Sequence, residues 1–121
     1  MYFYLAAALC SEAEKAFNMR LYKFVTDLGH TAYLPQLHAG TVTDLIRTGA
    51  DENAIRRKIF DSDISFLHQC DSLLILLDGR TLDEGACFEL GYMHALGKPC
   101  FGFKTDPRSC IRGKDNLMIV T

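Results

Sequence analysis

Residues 73–104, LLILLDGRTLDEGACFELGYMHALGKPCFGFK, constrain the fold of this 121-residue chain more than any other stretch. A continuous apolar run at 73–77 stops at Asp78-Gly79, the pattern of a strand covered on both faces rather than one with a wet side. Asp83 stands where a helix N-cap belongs, and Glu84 places a charge in the first turn. Gly97-Lys98-Pro99 then supplies a C′ glycine, a terminal cation and a stop. A second apolar run at 100–103 completes a strand–helix–strand unit.

Within that helix the informative residue is Glu89. At about 100° per residue, Ala86, Leu90, Met93 and Leu96 form one apolar stripe, and Glu89 falls inside it. The carboxylate is therefore aimed at the core side. Burying an unpaired charge costs several kcal/mol, so such a group is normally paired, protonated or functional. A plain structural role, bonding a nearby backbone group or reaching an edge, is the alternative.

The rest of the chain repeats the alternation. Residues 1–10 read as a first buried strand: the run is too short to span a bilayer and lacks the basic start of a signal peptide. Ser11 and Glu14 have capping-box spacing and open a helix that ends at Leu28-Gly29, with Ala13, Phe17, Leu21, Phe24 and Val25 on its apolar face. Residues 31–34 form a short second strand closed by Pro35. Residues 36–51 are the longest candidate loop, with a helical turn at 42–46. From 53 to 69 the pattern is helical, with Ile55, Ile59, Phe66 and Cys70 near one face. Asp63 lies on that face too, either as a second inward carboxylate or, if the helix breaks near Asp61-Ser62, as a simple cap. After the central unit come a charged loop at 105–115 and a last short strand at 117–120.

Strands alternating with helices imply a mostly parallel α/β sheet with right-handed crossovers and helices on both faces, in one domain spanning residues 1–121. A net charge of −2 argues against a nucleic-acid or anionic-membrane surface. The five cysteines are odd in number and lack CxxC spacing, so neither a disulfide framework nor a zinc site is expected and a reducing cytoplasm is the default. His30, His38, His68 and His94 show no metal spacing and read as surface or loop residues. Neither GxGxxG nor GxxxxGK[ST] is present, so no dinucleotide fingerprint or P-loop is expected. Ligands of open α/β sheets sit beyond the carboxyl ends of the strands, which places Asp78, Asp83 and Glu89 around one crevice with the segment after the first strand. Asp63, Asp83 and Glu89 together suit glycosyl chemistry, in which one carboxylate attacks or stabilises C1′ and another handles the leaving group. Carboxylates could equally hold Mg²⁺, and spacing alone does not choose.

Tyr4-Leu5-Ala6, Ser11-Glu12-Ala13-Glu14, Leu34-Pro35, Cys70-Asp71, Asp83-Glu84-Gly85, Phe88-Glu89-Leu90-Gly91, Gly97-Lys98-Pro99, Lys104-Thr105-Asp106 and Asn116-Leu117-Met118 together resemble the nucleoside 2-deoxyribosyltransferases over nearly the whole chain. The resemblance implies a flavodoxin-like (Rossmann-like) sheet and transfer of 2-deoxyribose between nucleobases through a covalent glycosyl-enzyme, with no cofactor. Glu89 matches the family nucleophile, Asp83 and Asp63 the aspartates that hold and help protonate the base, and Tyr4 the tyrosine that orients the nucleophile. Asn116 matches an asparagine given to a neighbouring subunit's site, with Met118 near the base, which implies a homo-oligomer whose partners are deoxyribonucleosides and free bases. Two departures stand out. The family's A-G-P after the first strand is here Ala6-Ala7-Ala8, and the sequence stops at Thr121, where family members usually continue into another helix. The related alternatives are a nucleoside or nucleoside 5′-monophosphate N-glycosidase on the same scaffold and, in another class, a non-catalytic nucleotide-binding module.

Overall fold

A computed structural model of the chain describes residues 1–40, 42–108 and 114–120. Cys110, the middle of the expected loop at 105–115 and the chain end at Thr121 lie outside the described residues. In chain order the elements are β1 (Tyr2–Ala6), α1 (Glu12–Asp27), β2 (Thr31–Tyr33), α2 (Pro35–His38), α3 (Val42–Ile46), α4 (Glu52–Gln69), β3 (Ser72–Leu76), α5 (Glu84–Ala95), β4 (Cys100–Phe103) and α6 (Leu117–Val120). The four strands form one parallel sheet in the order β2-β1-β3-β4, the parallel α/β arrangement that the alternation implies and the flavodoxin-like fold that the resemblance implies. The chain steps from β1 to β2 on one side and then returns past β1 to β3. The topological switch point therefore lies between β1 and β3, where ligands of such sheets bind.

Pleating divides the sheet into two cores. Leu5, Ala32 and Leu34 pack with Val25 of α1 on one face. Tyr4, Ala6, Tyr33, Leu73, Ile75 and Leu77 face α4 and α5, where Leu67, Ala86, Leu90 and Met93 complete the larger cluster. Both expected caps form. Glu14 Oε2 accepts from the Ser11 amide at 2.8 Å while the Glu14 amide donates to Ser11 Oγ at 3.1 Å, and Asp83 Oδ2 accepts from the Ala86 amide at 2.8 Å. A side chain at Gly85 would place its Cβ 3.1 Å from that Asp83 oxygen, so glycine keeps the cap unobstructed.

Several expectations differ in detail. The run at 117–120 is the helical turn α6, because Asn116 Oδ1 accepts from the Met118 amide at 3.0 Å and the Asn116 carbonyl accepts from Ile119 at 2.9 Å. A four-residue apolar run carries too little periodicity to reveal this. Helix α4 runs without a break through Asp61-Ser62, so Asp63 is a mid-helix residue and not a cap. Pro35 opens α2, which runs into the expected loop at 36–51, and α3 lies within that stretch. Phe24 is 61% exposed and Leu96 is 40% exposed at the α5 C-cap, so neither belongs to the buried stripe assigned to it.

Lys98 does more than close its own helix. Its Nζ donates to the carbonyls of Leu67, His68 and Cys70 at 2.8, 2.6 and 2.7 Å, gathering the orphan acceptors at the end of α4 and placing a cation on that helix's negative pole. Lys98→Met keeps the aliphatic stem and removes all three bonds. It is expected to lower the unfolding free energy by about 2–3 kcal/mol, given what hydrogen bonds to a charged group contribute. Chemical denaturation monitored by circular dichroism checks this; a loss below about 0.5 kcal/mol, the scale of a neutral surface change, would contradict the role.

Candidate active site

Two tyrosines of neighbouring strands hold two carboxylates of neighbouring helices. Tyr4 on β1 and Tyr33 on β2 are register partners with no exposed surface, and their rings lie 5.2 Å apart. The Tyr4 hydroxyl donates to Glu89 Oε1 of α5 at 2.8 Å, and the Tyr33 hydroxyl donates to Asp63 Oδ1 of α4 at 2.9 Å. The strands thus present phenols toward the helices, and the helices return carboxyl groups from otherwise apolar faces. Sequence reasoning missed Tyr33. The usable signal was its position two residues into a three-residue strand, on the face that Tyr4 occupies in β1.

The electrostatics follow from burial. Desolvation pushes the Glu89 carboxyl up to about 8; the Tyr4 hydrogen bond opposes this, while the nearby Asp63 and Asp83 charges add to it. Asp63 is also raised, again chiefly by desolvation, against the hydrogen bonds from Tyr33 and Tyr4 that favour its ionised form. Both phenols are held well above the ordinary tyrosine range, first by burial and then by the neighbouring carboxylates, so they serve as neutral donors.

The other expected residues occupy different places. Asp83 is half-buried at the α5 N-cap, within electrostatic reach of Glu89. Asp78 lies beyond the end of β3, where it accepts from the Thr105 and Asp106 amides at 2.6 and 2.8 Å and from the Thr105 hydroxyl. It ties the β3 exit to the β4 exit, and these bonds occupy both of its oxygens. Asn116 and Met118 are exposed at α6, away from Glu89's hydrogen-bond network. Met118 borders a groove of about 1000 Å³ between α5, the β3–β4 edge and α6, together with Leu77, Leu90, Gly91 and His94. Among the described residues, no three His, Cys, Asp or Glu side chains gather as a metal-ion site, and no helix is long and apolar enough to cross a membrane.

A parallel α/β sheet with a desolvated carboxylate at its switch point defines a class of small-molecule site, and the comparisons name the family. The nucleoside 2-deoxyribosyltransferase model matches residues 3–119, so the chain belongs to that family. Among solved structures, a 2-deoxyribosyltransferase from the psychrotolerant bacterium Bacillus psychrosaccharolyticus is 27% identical with a TM-score of 0.78, covering 98% of this chain and 80% of its own. A conserved protein from Enterococcus faecalis V583 is 30% identical with a TM-score of 0.72, covering 88% of this chain and 64% of its own. An uncharacterised protein of Schizosaccharomyces pombe is 42% identical over 55 residues, which make up 42% of this chain and 26% of that protein.

The raised Glu89 carboxyl predicts a pH-dependent stability. Its folded-state value of about 8 lies above the ordinary 4.5, so the folded state binds the proton more tightly and loses stability as pH rises between those values. Glu89→Gln keeps an acceptor for Tyr4 and removes the ionisation. The variant should match wild type near pH 4 and exceed it by on the order of 2 kcal/mol near pH 9, after discounting for solvent screening. Thermal unfolding across that range is the check, and a difference that stays flat with pH would count against the assignment.

Proposed function

We propose that the chain transfers 2-deoxyribose between nucleobases through a covalent intermediate on Glu89. The observation that carries this reading is the 2.8 Å bond from the buried Tyr4 hydroxyl to Glu89 Oε1. It fixes one carboxylate oxygen and leaves the other available to an incoming C1′. In the first step the ionised Glu89 oxygen bonds to C1′ and the C1′–N bond breaks, its electron pair leaving with the base. The base takes up one proton from a neighbouring carboxyl group, for which Asp63, raised by burial, and Asp83 are the candidates. An acceptor base then attacks C1′, returns that proton and frees Glu89.

Deoxyribonucleosides and free bases are the proposed substrates, with no cofactor. Incubating deoxyinosine with and without adenine, followed by chromatography, tests the reading. Formation of deoxyadenosine supports transfer, hypoxanthine alone points to a hydrolase, and an unchanged nucleoside points to a binding module. Glu89→Ala should reduce transfer by at least about a thousandfold, the scale expected for loss of a covalent nucleophile. A variant keeping a few per cent of wild-type rate would rule Glu89 out.

Asn116 is exposed and held at the start of α6, a placement suited to a homo-oligomer in which it reaches a neighbour's Glu89. Mixing Glu89→Ala with Asn116→Ala under subunit exchange should restore about a quarter of all sites in a two-fold dimer. Activity no higher than the mean of the parents after proven exchange would exclude a shared site.

A further inference from the structure

We propose that Tyr33 is a positioning residue for base protonation, holding Asp63 as the acid that works in step with Glu89. This rests on the transferase reading and goes beyond it by assigning the proton to one of two carboxyl groups and naming the residue that orients it. The Tyr33 hydroxyl occupies Asp63 Oδ1 at 2.9 Å, so a proton on this carboxyl sits on Oδ2. The ring that carries the hydroxyl is locked. It stacks on Phe66 at 3.9 Å and 15°, lies 5.1 Å from His38 at 26°, and meets Tyr4 at 5.2 Å. A buried ring confined on three sides can offer its hydroxyl at only one point.

The Tyr33 bond favours the ionised form of Asp63, the form left once its proton has gone. Tyr4 on the neighbouring strand donates its hydroxyl to Glu89 Oε1 at 2.8 Å, so each phenol serves one carboxyl group. The Tyr33 hydroxyl thus fixes Asp63 in the same network as the Tyr4–Glu89 pair, with Oδ2 as the oxygen left to carry a proton to the base. Two buried carboxyl groups that repel each other hold one proton more readily than none or two. When the C1′–N bond breaks, Asp63 loses that proton to the base nitrogen and becomes a carboxylate, which the Tyr33 bond stabilises. The acceptor base gives it back in the second half-reaction.

Tyr33→Phe keeps the stacked ring and deletes only the hydroxyl, so it separates packing from proton positioning. Its kcat should fall roughly tenfold on deoxyinosine, the scale of one hydrogen bond to a charged group. On 7-methyl-2′-deoxyguanosine, whose cationic base departs neutral without taking up a proton, the loss should be under about twofold. Equal losses on both nucleosides would overturn the proposal, because general damage to the site does not distinguish leaving groups. A double-mutant cycle supplies a second measurement: adding Tyr33→Phe to Asp63→Asn should cost no further activity on 7-methyl-2′-deoxyguanosine, and should not deepen the deoxyinosine defect, if Tyr33 acts through Asp63. Additive losses would show an independent role. A wild type that releases base from neither nucleoside overturns the transferase reading itself, and this inference falls with it.

Discussion

The fold is organised around a cost. Glu89 lies 85 residues from Tyr4 in sequence and would be a desolvated charge on an apolar helix face without the Tyr4 hydroxyl. One bond between the central strand and α5 converts that liability into a defined side chain with one oxygen engaged and a carboxyl held near neutrality at about 8. The arrangement needs β1 inside the sheet, α5 packed over β1 and β3, and a cap at Asp83 that starts α5 in the right phase. The sheet order supplies the first, the apolar stripe the second and the Asp83–Ala86 bond the third.

What could be read from the sequence was local or periodic. The Ser11–Glu14 capping box and the Asp83 cap announce themselves within four residues, and the apolar runs mark β1 and β3 as covered strands, whereas β4 lies at the sheet edge with Phe101 and Phe103 exposed. Glu89 was visible because it interrupts a stripe. Asp63 was visible only as a choice between cap and inward carboxylate. The structure resolves this through contacts from outside the helix: Tyr33, which precedes it by 30 residues, holds its side chain while Arg57 and Asp61 pair on the exposed side.

Pairings across the fold were not legible. Nothing local in Lys98 shows that it serves α4 instead of the helix it follows, and nothing in Asp78 shows that its oxygens are taken by a loop 27 residues on. A carboxylate at the end of a parallel strand is a reasonable ligand for substrate until a neighbouring strand's exit claims it. The turn at α6 failed for the opposite reason. Asn116 is a good capping residue, but four apolar residues after it read equally well as a strand, and capping chemistry decided the outcome.

The parallel register has a kinetic meaning. Tyr4 pairs with Tyr33 across 29 residues and with Leu73 across 69, and no hairpin brings any of these strands together early. Loop closure must precede every strand pairing, so such a topology folds more slowly than a helical bundle of equal size. The four side chains of the tyrosine–carboxylate network come from four separate elements, and they meet only once β1 lies between β2 and β3. Partly folded forms of the chain therefore lack the network altogether, and the site comes into being together with the completed sheet.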